Sequence, residues 1–183
     1  PTGDTPAGVA ARHDHETDGQ PILPTPTIGA IGVIDSLDNT ATIAFKAEGE
    51  AVFLVGGPSD LSDGWLGQSL YLRDLHGIEE GAPPPVNLTQ ERKVGDAIRG
   101  LIQSGQVNTC HDVSDGGIIV ALTEMALAGG VGVTVDTGLD ISVPWMFGED
   151  QGRYLITCSI DSVDVTKDKL ADESISSKNA LTV

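Results

Sequence analysis

The sequence predicts an α/β or α+β domain in which helices pack on a mixed sheet. Short apolar segments with strand character alternate along the chain with longer segments whose apolar residues recur at helical spacing. Glycine-rich turns separate these segments, and the chain contains 23 glycines and 10 prolines. Interleaved strands and helices of this kind are typical of layered folds with helices on a sheet.

Composition limits the size of the core and the class of partner. The chain has 183 residues, enough for one core and an attached arm, and only 4% aromatic residues, so the core is expected to be aliphatic. The net charge of −17 argues against nucleic acids and anionic membranes as partners, because both require clustered Lys and Arg. The two cysteines form no Cys-x-x-Cys pair, which favours reduced thiols and a cytoplasmic location.

The first part of the chain predicts an arm followed by two strands. Residues 1–26 are rich in Pro, Gly, Thr and Asp, a composition that favours an arm without its own core. Thr27–Asp35 alternates apolar and small residues and predicts a strand. Ala51–Val55 predicts a second strand, which ends at the turn Gly56–Pro58.

The second part predicts two clear helices and several short strands. Apolar residues recur at helical spacing over Gln90–Gln103, with Thr89 as a candidate N-cap, and Ile118–Ala128 predicts a buried helix. The remaining predicted elements are strands at Val107–Cys110, Val131–Val135, Arg153–Thr157 and Ala180–Val183, and a weak helix at Thr166–Asp172.

The turn His111–Gly117 carries the most information about function. It follows a short apolar strand and opens directly into the predicted helix Ile118–Ala128. Free backbone N–H groups and the positive end of a helix dipole suit a phosphate or carboxylate ligand. The structural alternative is a tight connection in which glycines take positive φ angles and Ser or Asp caps the helix. From the turn alone, both interpretations remain open.

Four further motifs surround this turn in a characteristic order. They are Leu66–Leu72, Glu80–Leu88, Glu124–Gly132 and Phe147–Tyr154. In this order and at these separations, the five motifs closely resemble the phosphoribosylformylglycinamidine synthases. More narrowly, they resemble the last domain of the synthetase subunit of those enzymes. The resemblance covers residues 16–159, which is most of the chain.

The resemblance implies a fold, a reaction and a set of partners. Residues 47–183 would form the C-terminal α/β domain of the superfamily shared with aminoimidazole ribonucleotide synthetase, and residues 1–46 an arm and a remnant of the preceding ATP-binding domain. The implied reaction is ATP- and Mg²⁺-dependent conversion of formylglycinamide ribonucleotide to formylglycinamidine ribonucleotide with glutamine-derived ammonia. The implied partners are the remaining ATP-binding half of the synthetase and a glutaminase subunit or domain. Because no ATP-binding domain is complete here, the isolated chain is expected to be inactive, with no catalytic residue of its own.

The candidate ligand-binding residues lie in three of the motifs. Backbone N–H groups near Ser69 could approach a phosphate, and Asp112 and Asp115 are weak candidates for Mg²⁺ ligands. Asp115 is equally suited to cap the following helix. The full set of candidate nucleotide or phosphate contacts is Gly67, Gln68, Ser69, His111, Asp112, Ser114, Asp115, Gly116, Gly117, Glu149 and Gln151.

Several side chains have alternative interpretations. His111 could be a general acid or base, or a strand-end histidine that hydrogen-bonds to a neighbouring Asp. The Glu149–Gln151 segment corresponds to a substrate-contacting segment in the first half of the family's duplicated architecture, so here it is interpreted as a relic or a structural nucleotide site. Arg153 is expected to form a surface ion pair of small value with Glu149 or Asp150.

One departure from the family pattern concerns the arm, and another is the absence of the family's C-terminal glycine-rich turn from the polar segment Asp164–Asn179. In the family, a Gly-Asn-x-Ser run supplies nucleotide, Mg²⁺ and substrate contacts before the position of Glu16. Here Val9–Arg12 stands in that region, so those roles are not carried over. The run His13–Glu16 could form a small metal cluster, with a flexible polar arm as the alternative.

Two alternative functions remain open at this point. The first is a non-catalytic structural or partner-binding domain of the same enzyme. The second is another member of the ATP-binding superfamily, such as selenophosphate synthetase or thiamine-phosphate kinase. The triple proline Pro83–Pro85 and the Phe147–Tyr154 run speak against the second alternative.

Overall fold

A computed structural model describes residues 28–57, 64–135 and 141–183, together with two short paired backbone segments near the start of the chain. The chain divides into two units, residues 1–35 and residues 36–183. In the first unit, strands β1 (Glu16–Thr17) and β2 (Gln20–Pro21) pair in antiparallel fashion. The rest of the predicted arm, including residues 13–15 of the suggested metal cluster, lies outside the described residues.

The expected strand at Thr27–Asp35 is wrong over the part that the structure describes. Residues 28–35 contain no strand. The apolar side chains of Ile28, Ile31 and Val33 are exposed rather than packed on a sheet. The alternating pattern was therefore present, but a strand needs a partner strand for its hydrogen bonds, and no segment that the structure describes pairs with residues 28–35.

The second unit contains a five-stranded sheet with helices on both of its faces. The strands are β3 (Ala51–Gly56), β4 (Thr109–Asp112), β5 (Thr134–Val135), β6 (Arg153–Cys158) and β7 (Ser177–Thr182). The helices are α1 (Leu88–Gln103), α2 (Gly117–Gly129), α3 (Val143–Phe147) and α4 (Val163–Asp172), with a π-helical turn at Tyr71–Leu75 and a 3₁₀ turn at Ile160–Ser162. The strand order is β4-β6-β3-β7-β5.

The α+β class is confirmed, with one difference in the sheet. Every pairing between its five strands is antiparallel, where a mixed sheet was expected. One isolated parallel bridge joins Thr42 to Thr109 beside it. Alternation of strands and helices in sequence favours parallel crossovers, but here each strand enters beside a neighbour that runs in the opposite direction.

The central strand β3 is buried on both faces, which explains its continuous apolar sequence. Val52 and Leu54 face one layer, and Phe53 and Val55 face the other. The first layer consists mainly of α2 residues with Trp145, and the second of α1 and α4 residues. The fold therefore has three layers, with the sheet in the middle.

The helix ends correct two predicted caps. Helix α1 begins one residue after Asn87, whose side chain accepts a hydrogen bond from the Gln90 N–H at 3.1 Å, so Thr89 is not the N-cap. The N-cap of α2 is Gly116 rather than Asp115, so Asp115 does not have the alternative capping role. Asn87 caps α1 because its side-chain oxygen lies three residues before the free N–H group of Gln90, whereas Thr89 already lies within the first turn of the helix.

Other element boundaries shift modestly. Strand β4 lies two residues later than predicted, β5 is reduced to two residues, and α4 and β7 are longer than expected. Among the described residues, no helix combines the length and the apolar character needed to cross a membrane.

Candidate functional site

The turn between β4 and α2 is built from two glycines in an unusual conformation. Gly116 and Gly117 have φ angles of +79° and +75°, values that side chains other than glycine rarely adopt. The Gly117 N–H donates to the Ser114 carbonyl at 3.1 Å, which closes the turn. Val113 is tied to β6 through the Arg153 carbonyl at 2.9 Å. The turn is thus held from both sides at the sheet edge.

The chain's own backbone fills the space beside Gly117. A Cβ atom at this position would lie 2.7 Å from the Met146 carbonyl oxygen and 2.8 Å from the Gly148 carbonyl oxygen. The glycine therefore permits close approach of the end of α3 and of Gly148, which follows it. A phosphate has no room at this side of the turn, which favours the structural interpretation of the second glycine.

The N–H group of the other glycine, Gly116, donates a hydrogen bond to the carboxylate of Glu149. Oε1 of Glu149 accepts hydrogen bonds from the backbone N–H groups of Gly116, at 2.9 Å, and Leu70, at 2.8 Å. The Glu149 N–H donates in turn to the Trp65 carbonyl at 2.9 Å. Glu149 therefore joins the loop before the π-helical turn to the start of α2.

A buried ion pair lies next to this carboxylate, and the sequence analysis misjudged it. Arg153 is only 4% exposed, and its guanidinium lies 3.2 Å from Oδ2 of Asp150 and also donates to the Gly148 carbonyl. Asp150 Oδ2 accepts a further bond from the Trp65 N–H at 3.0 Å. The predicted pairing of Arg153 with Asp150 is confirmed, but its expected surface location is wrong, because β6 carries Arg153 into the interior.

The predicted loop contacts at residues 67–69 also serve the fold. Gln68 has a positive φ of 62°, and its side-chain amide donates to the Gly81 carbonyl at 3.0 Å. Ser69 is 1% exposed, and its hydroxyl accepts from the Leu72 N–H at 3.3 Å. Gly67 packs against the backbone of Ala82. These residues hold the loop that delivers Leu70 to Glu149.

His111 lies between two carboxylates. Its Nδ1 is 3.1 Å from Asp112 and its Nε2 is 2.8 Å from Glu124 on α2. The predicted hydrogen bond between His111 and a neighbouring Asp is thus confirmed. The sequence analysis did not identify Glu124 as the second partner, because it lies 13 residues later, on α2. Burial alone raises the pKa of Asp112, but hydrogen bonds from His111 and Ser114 outweigh it, so this pKa lies below its ordinary value. Asp112 is therefore ionised at neutral pH.

The Cys110 thiol, one residue before His111, is not an activated nucleophile. Burial raises its pKa to about 11, and the charge of Asp112 acts in the same direction. At neutral pH the thiol is therefore protonated, and nucleophilic chemistry requires the thiolate.

Three of the predicted residues line a small open cavity. A volume of about 200 Å³ is bounded by Glu91, Asp112, Val113, Ser114, Gln151, Gly152, Arg153 and Tyr154. A buried Oε1 atom of Glu91 has no hydrogen-bond partner among the described residues. The cavity's one cation, Arg153, already pairs with Asp150. The lining also holds hydrogen-bond donors on Ser114, Gln151 and Tyr154, and the buried Nε of Arg153 has no partner among the described residues, so a phosphate contact here stays a prediction.

The structure thus separates the predicted site residues into groups. Gly116 and Glu149 meet directly, while Asp112, Ser114 and Gln151 share the small cavity. Within the described ranges 28–57, 64–135 and 141–183, no group of three or more His, Cys, Asp or Glu side chains could hold a metal ion. The assignment of Asp112 and Asp115 as Mg²⁺ ligands therefore stays a prediction.

Comparison with known proteins identifies the family of this domain. Residues 47–178 match the family described as AIR synthase related protein, C-terminal domain. A "Phosphoribosylformylglycinamidine synthase subunit PurL" from Rhodopseudomonas palustris (strain BisB5) is 51% identical over 164 residues, covering 88% of this chain and 22% of the relative. The protein of the same name from Rhodospirillum rubrum is 55% identical over 143 residues, covering 78% of this chain and 19% of the relative.

Solved structures share the fold at low sequence identity. "T. maritima PurL complexed with FGAR" matches with a TM-score of 0.66 at 19% identity, over 80% of this chain and 26% of that chain. "T. maritima PurL complexed with ATP" matches with a TM-score of 0.59 at 17% identity, over 80% of this chain and 23% of that chain. The chain spans about a fifth of the length of the curated relatives that it matches.

The three layers define the class of this domain: it is an α+β domain with helices packed on both faces of an antiparallel sheet. The chain belongs to the AIR synthase related protein family, through its C-terminal domain. The resemblance to phosphoribosylformylglycinamidine synthase that the five motifs predicted is confirmed.

Proposed function

We propose that this chain serves as the last α/β domain of the synthetase part of a phosphoribosylformylglycinamidine synthase, an ATP-dependent C–N ligase. The observation that carries the proposal is the 51% identity to a protein of that name over 88% of the chain. In the proposed reaction, ATP phosphorylates the amide oxygen of formylglycinamide ribonucleotide. Ammonia from glutamine then displaces phosphate and leaves formylglycinamidine ribonucleotide.

The proposed division of the chain follows from the same relationship. Residues 47–183 act as the synthetase C-terminal domain, and residues 1–46 as an arm and a remnant of the preceding ATP-binding domain. The family match begins at residue 47, which supports this boundary. We expect these 183 residues by themselves to be inactive, because the family match covers a C-terminal domain only.

ATP with Mg²⁺ is proposed to bind the assembled synthetase rather than this domain alone. A T. maritima relative of the same fold has been solved with ATP. In this chain the glycine turn is filled by Glu149 and the backbone after α3, and the adjoining cavity is acidic. We propose Asp112, Ser114 and Gln151 as the contacts that this domain can still offer to a ligand held by the rest of the enzyme.

The proposed partners are the remaining ATP-binding half of the synthetase and a glutaminase subunit or domain. A Thermotoga maritima structure titled "Structure of PurLQS" supports an assembly of this kind. A cytoplasmic location fits the two free thiols. The strongly acidic composition supports the proposal that neither nucleic acid nor membrane is a partner.

The exposed face of α2 supports the proposal that the rest of the synthetase packs against this helix. Helix α2 carries one acidic residue, Glu124, and is otherwise almost entirely apolar or small. Leu127 is 78% exposed, beside an open apolar groove of about 480 Å³ along the same helix. A helix that is apolar all round is typical of burial within a larger protein, and about four fifths of the relatives' length lies outside this match. The proposed occupant is therefore the preceding part of the synthetase chain.

A chimera tests this function. The matching segment of the Rhodospirillum rubrum relative is replaced by this chain, and ATP-dependent amidation of formylglycinamide ribonucleotide is assayed with ammonium as nitrogen donor. We expect the chimera to be active and the isolated 183-residue chain to be inactive. A control enzyme carries its own segment spliced at the same junctions. A folded but inert chimera beside an active control would contradict the proposal, as would amidation by the isolated chain.

The same chimera tests the proposed cover of α2. Leu127→Asp places a charge in the proposed internal interface, so we expect a loss of amidation of roughly tenfold or more, since burial of an unpaired charge is costly. Val165→Asp, on an exposed part of α4, is the matched control and should leave activity unchanged. Equal activity of both variants would contradict the proposed interface on α2 but would leave the proposed reaction standing.

A second candidate is a non-catalytic structural domain of the same enzyme. The observation that favours it is the internal use of the predicted contacts, above all the Glu149 carboxylate on the Gly116 N–H. The two candidates differ in the effect of Asp112→Asn and Ser114→Ala in the chimera. A purely structural domain predicts unchanged Michaelis constants for nucleotide and substrate, and a ligand-contacting domain predicts that at least one of them rises.

A further inference from the structure

We propose that Glu149 is a resident anion: its carboxylate permanently occupies an oxyanion site formed by the backbone N–H groups of Leu70 and Gly116. Removal of this side chain is inferred to open a site for a small tetrahedral oxyanion such as inorganic phosphate. The inference goes beyond the proposed function, because it concerns a site within this domain that is closed in the native chain.

The geometry of the two donors is that of an anion site. One carboxylate oxygen accepts both bonds, at 2.8 Å from Leu70 and 2.9 Å from Gly116. The two N–H groups come from separate segments, and each lies where a helical segment begins. Gly116 precedes the 13-residue helix α2, whose dipole adds partial positive charge at this end. Converging backbone N–H groups at a helix start are a common binding site for phosphate and carboxylate.

Glu149 is held in place by its own neighbours. Its backbone N–H donates to the Trp65 carbonyl, and the next residue, Asp150, accepts from the Trp65 N–H. The backbone on the other side is fixed by the bond from the Gly148 N–H to the Pro144 carbonyl at 2.8 Å. The carboxylate is therefore delivered to its donors by a rigid segment, and little conformational entropy is lost when it binds them.

No cation competes with the amides for this carboxylate. Within the part of the chain that the structure describes, no Lys, Arg or His nitrogen lies within 4.0 Å of Glu149. The nearby guanidinium of Arg153 pairs with Asp150 instead. The hydrogen-bond donors to this carboxylate are therefore backbone N–H groups, which can donate equally well to a phosphate oxygen.

The test is thermal unfolding of variants of the 183-residue chain with and without inorganic phosphate. Glu149→Ala leaves both N–H groups without an acceptor and vacates the space of the carboxylate. At phosphate concentrations about ten times its dissociation constant, we expect the Tm of this variant to rise by roughly 3 °C. The Tm of the native chain should not respond, because Glu149 already fills the site.

The controls separate site binding from a general effect of charge. Sodium chloride at equal ionic strength should change the Tm of Glu149→Ala and of the native chain by the same amount, because it only screens the net charge of −17. Glu80→Ala removes the same charge at an exposed position and should not respond to phosphate. An equal response of Glu80→Ala, or no response of Glu149→Ala beyond that in chloride, would overturn the proposal.

A second variant keeps the test decisive if the alanine variant does not fold. Glu149→Gln retains a neutral acceptor oxygen at the same position, so it should fold and should not respond to phosphate. Because hydrogen bonds to a charged acceptor are stronger, the amide protons of Leu70 and Gly116 should move upfield in the glutamine variant. Unchanged shifts of these two protons in the ¹⁵N–¹H spectrum would contradict a resident anion.

Discussion

Replacement of Arg153 by Met is expected to lower the free energy of unfolding by about 3–5 kcal/mol, because it leaves a buried carboxylate without its cation. Asp150 has a side chain only 13% exposed, and its remaining partner is the Trp65 N–H at 3.0 Å. The substitution also removes the bond from the guanidinium to the Gly148 carbonyl. The segment that carries Glu149 thereby loses two interactions, one at Gly148 and one at Asp150.

Chemical denaturation of the 183-residue chain measures this effect. The matched control is Arg99→Met, which breaks an ion pair with Asp96 on the exposed face of α1, and we expect a change of about 0–1 kcal/mol. The double variant Arg153→Met/Asp150→Asn removes both charges and should recover part of the loss. A loss below about 1 kcal/mol for Arg153→Met would show that the pair is no more than a surface bridge.

Substitution of Gly117 by Ala is expected to destabilise the chain by about 2–4 kcal/mol, for two reasons that add. A φ of +75° is strained for alanine, and the new Cβ would lie within 3 Å of the Met146 and Gly148 carbonyl oxygens. Both contacts are backbone atoms, so relief requires movement of the whole segment before Glu149. Equilibrium unfolding monitored by circular dichroism measures the change.

Gly95→Ala is the matched control for this prediction. Gly95 lies inside α1, and a Cβ there meets nothing within 4 Å. Because glycine is a poor helix former, this substitution should stabilise the chain by about 0.5–1 kcal/mol. An alanine at residue 117 that is tolerated as well as the one at residue 95 would show that the turn does not depend on close packing.

The parts of the fold that the sequence predicted well are those that depend on local pattern. Helices α1 and α2 have apolar residues at helical spacing, and β3 and β6 are short apolar runs bounded by glycine. The predicted strand at residues 27–35 had an equally clear alternation, yet it does not pair. Alternation shows which face of a strand is apolar, but pairing depends on a partner segment that local sequence does not identify.

The direction of the strands was beyond local pattern for a similar reason. Strand β3 pairs with β6 on one side and with β7 on the other, both more than 90 residues later in the chain. Such long-range pairings determine whether a sheet is mixed or antiparallel. The antiparallel arrangement therefore became clear only with the structure.

The structure brings several of the candidate site residues together, and their contact with a ligand stays a prediction. The motifs that predicted phosphate contacts, at Gly116, Gly117 and Glu149, do come together. Their partners, however, are each other, because one motif supplies the anion and another the N–H groups. A glycine turn before a helix predicts an acceptor near its N–H groups, and the acceptor can be a ligand or a distant side chain. The one local signal was Glu149 itself, an acid in a glycine-flanked segment.

Calorimetric titration of Mg·ATP into the isolated chain and into the chimera tests most directly whether this domain depends on the rest of the synthetase. We expect no saturable heat with the isolated chain at millimolar Mg·ATP, because its glycine turn is filled by Glu149 and its cavity is acidic. The chimera should bind Mg·ATP as its parent enzyme does. Saturable binding to the isolated chain, lost on Asp112→Asn, would contradict this view and would place a nucleotide site within the domain itself.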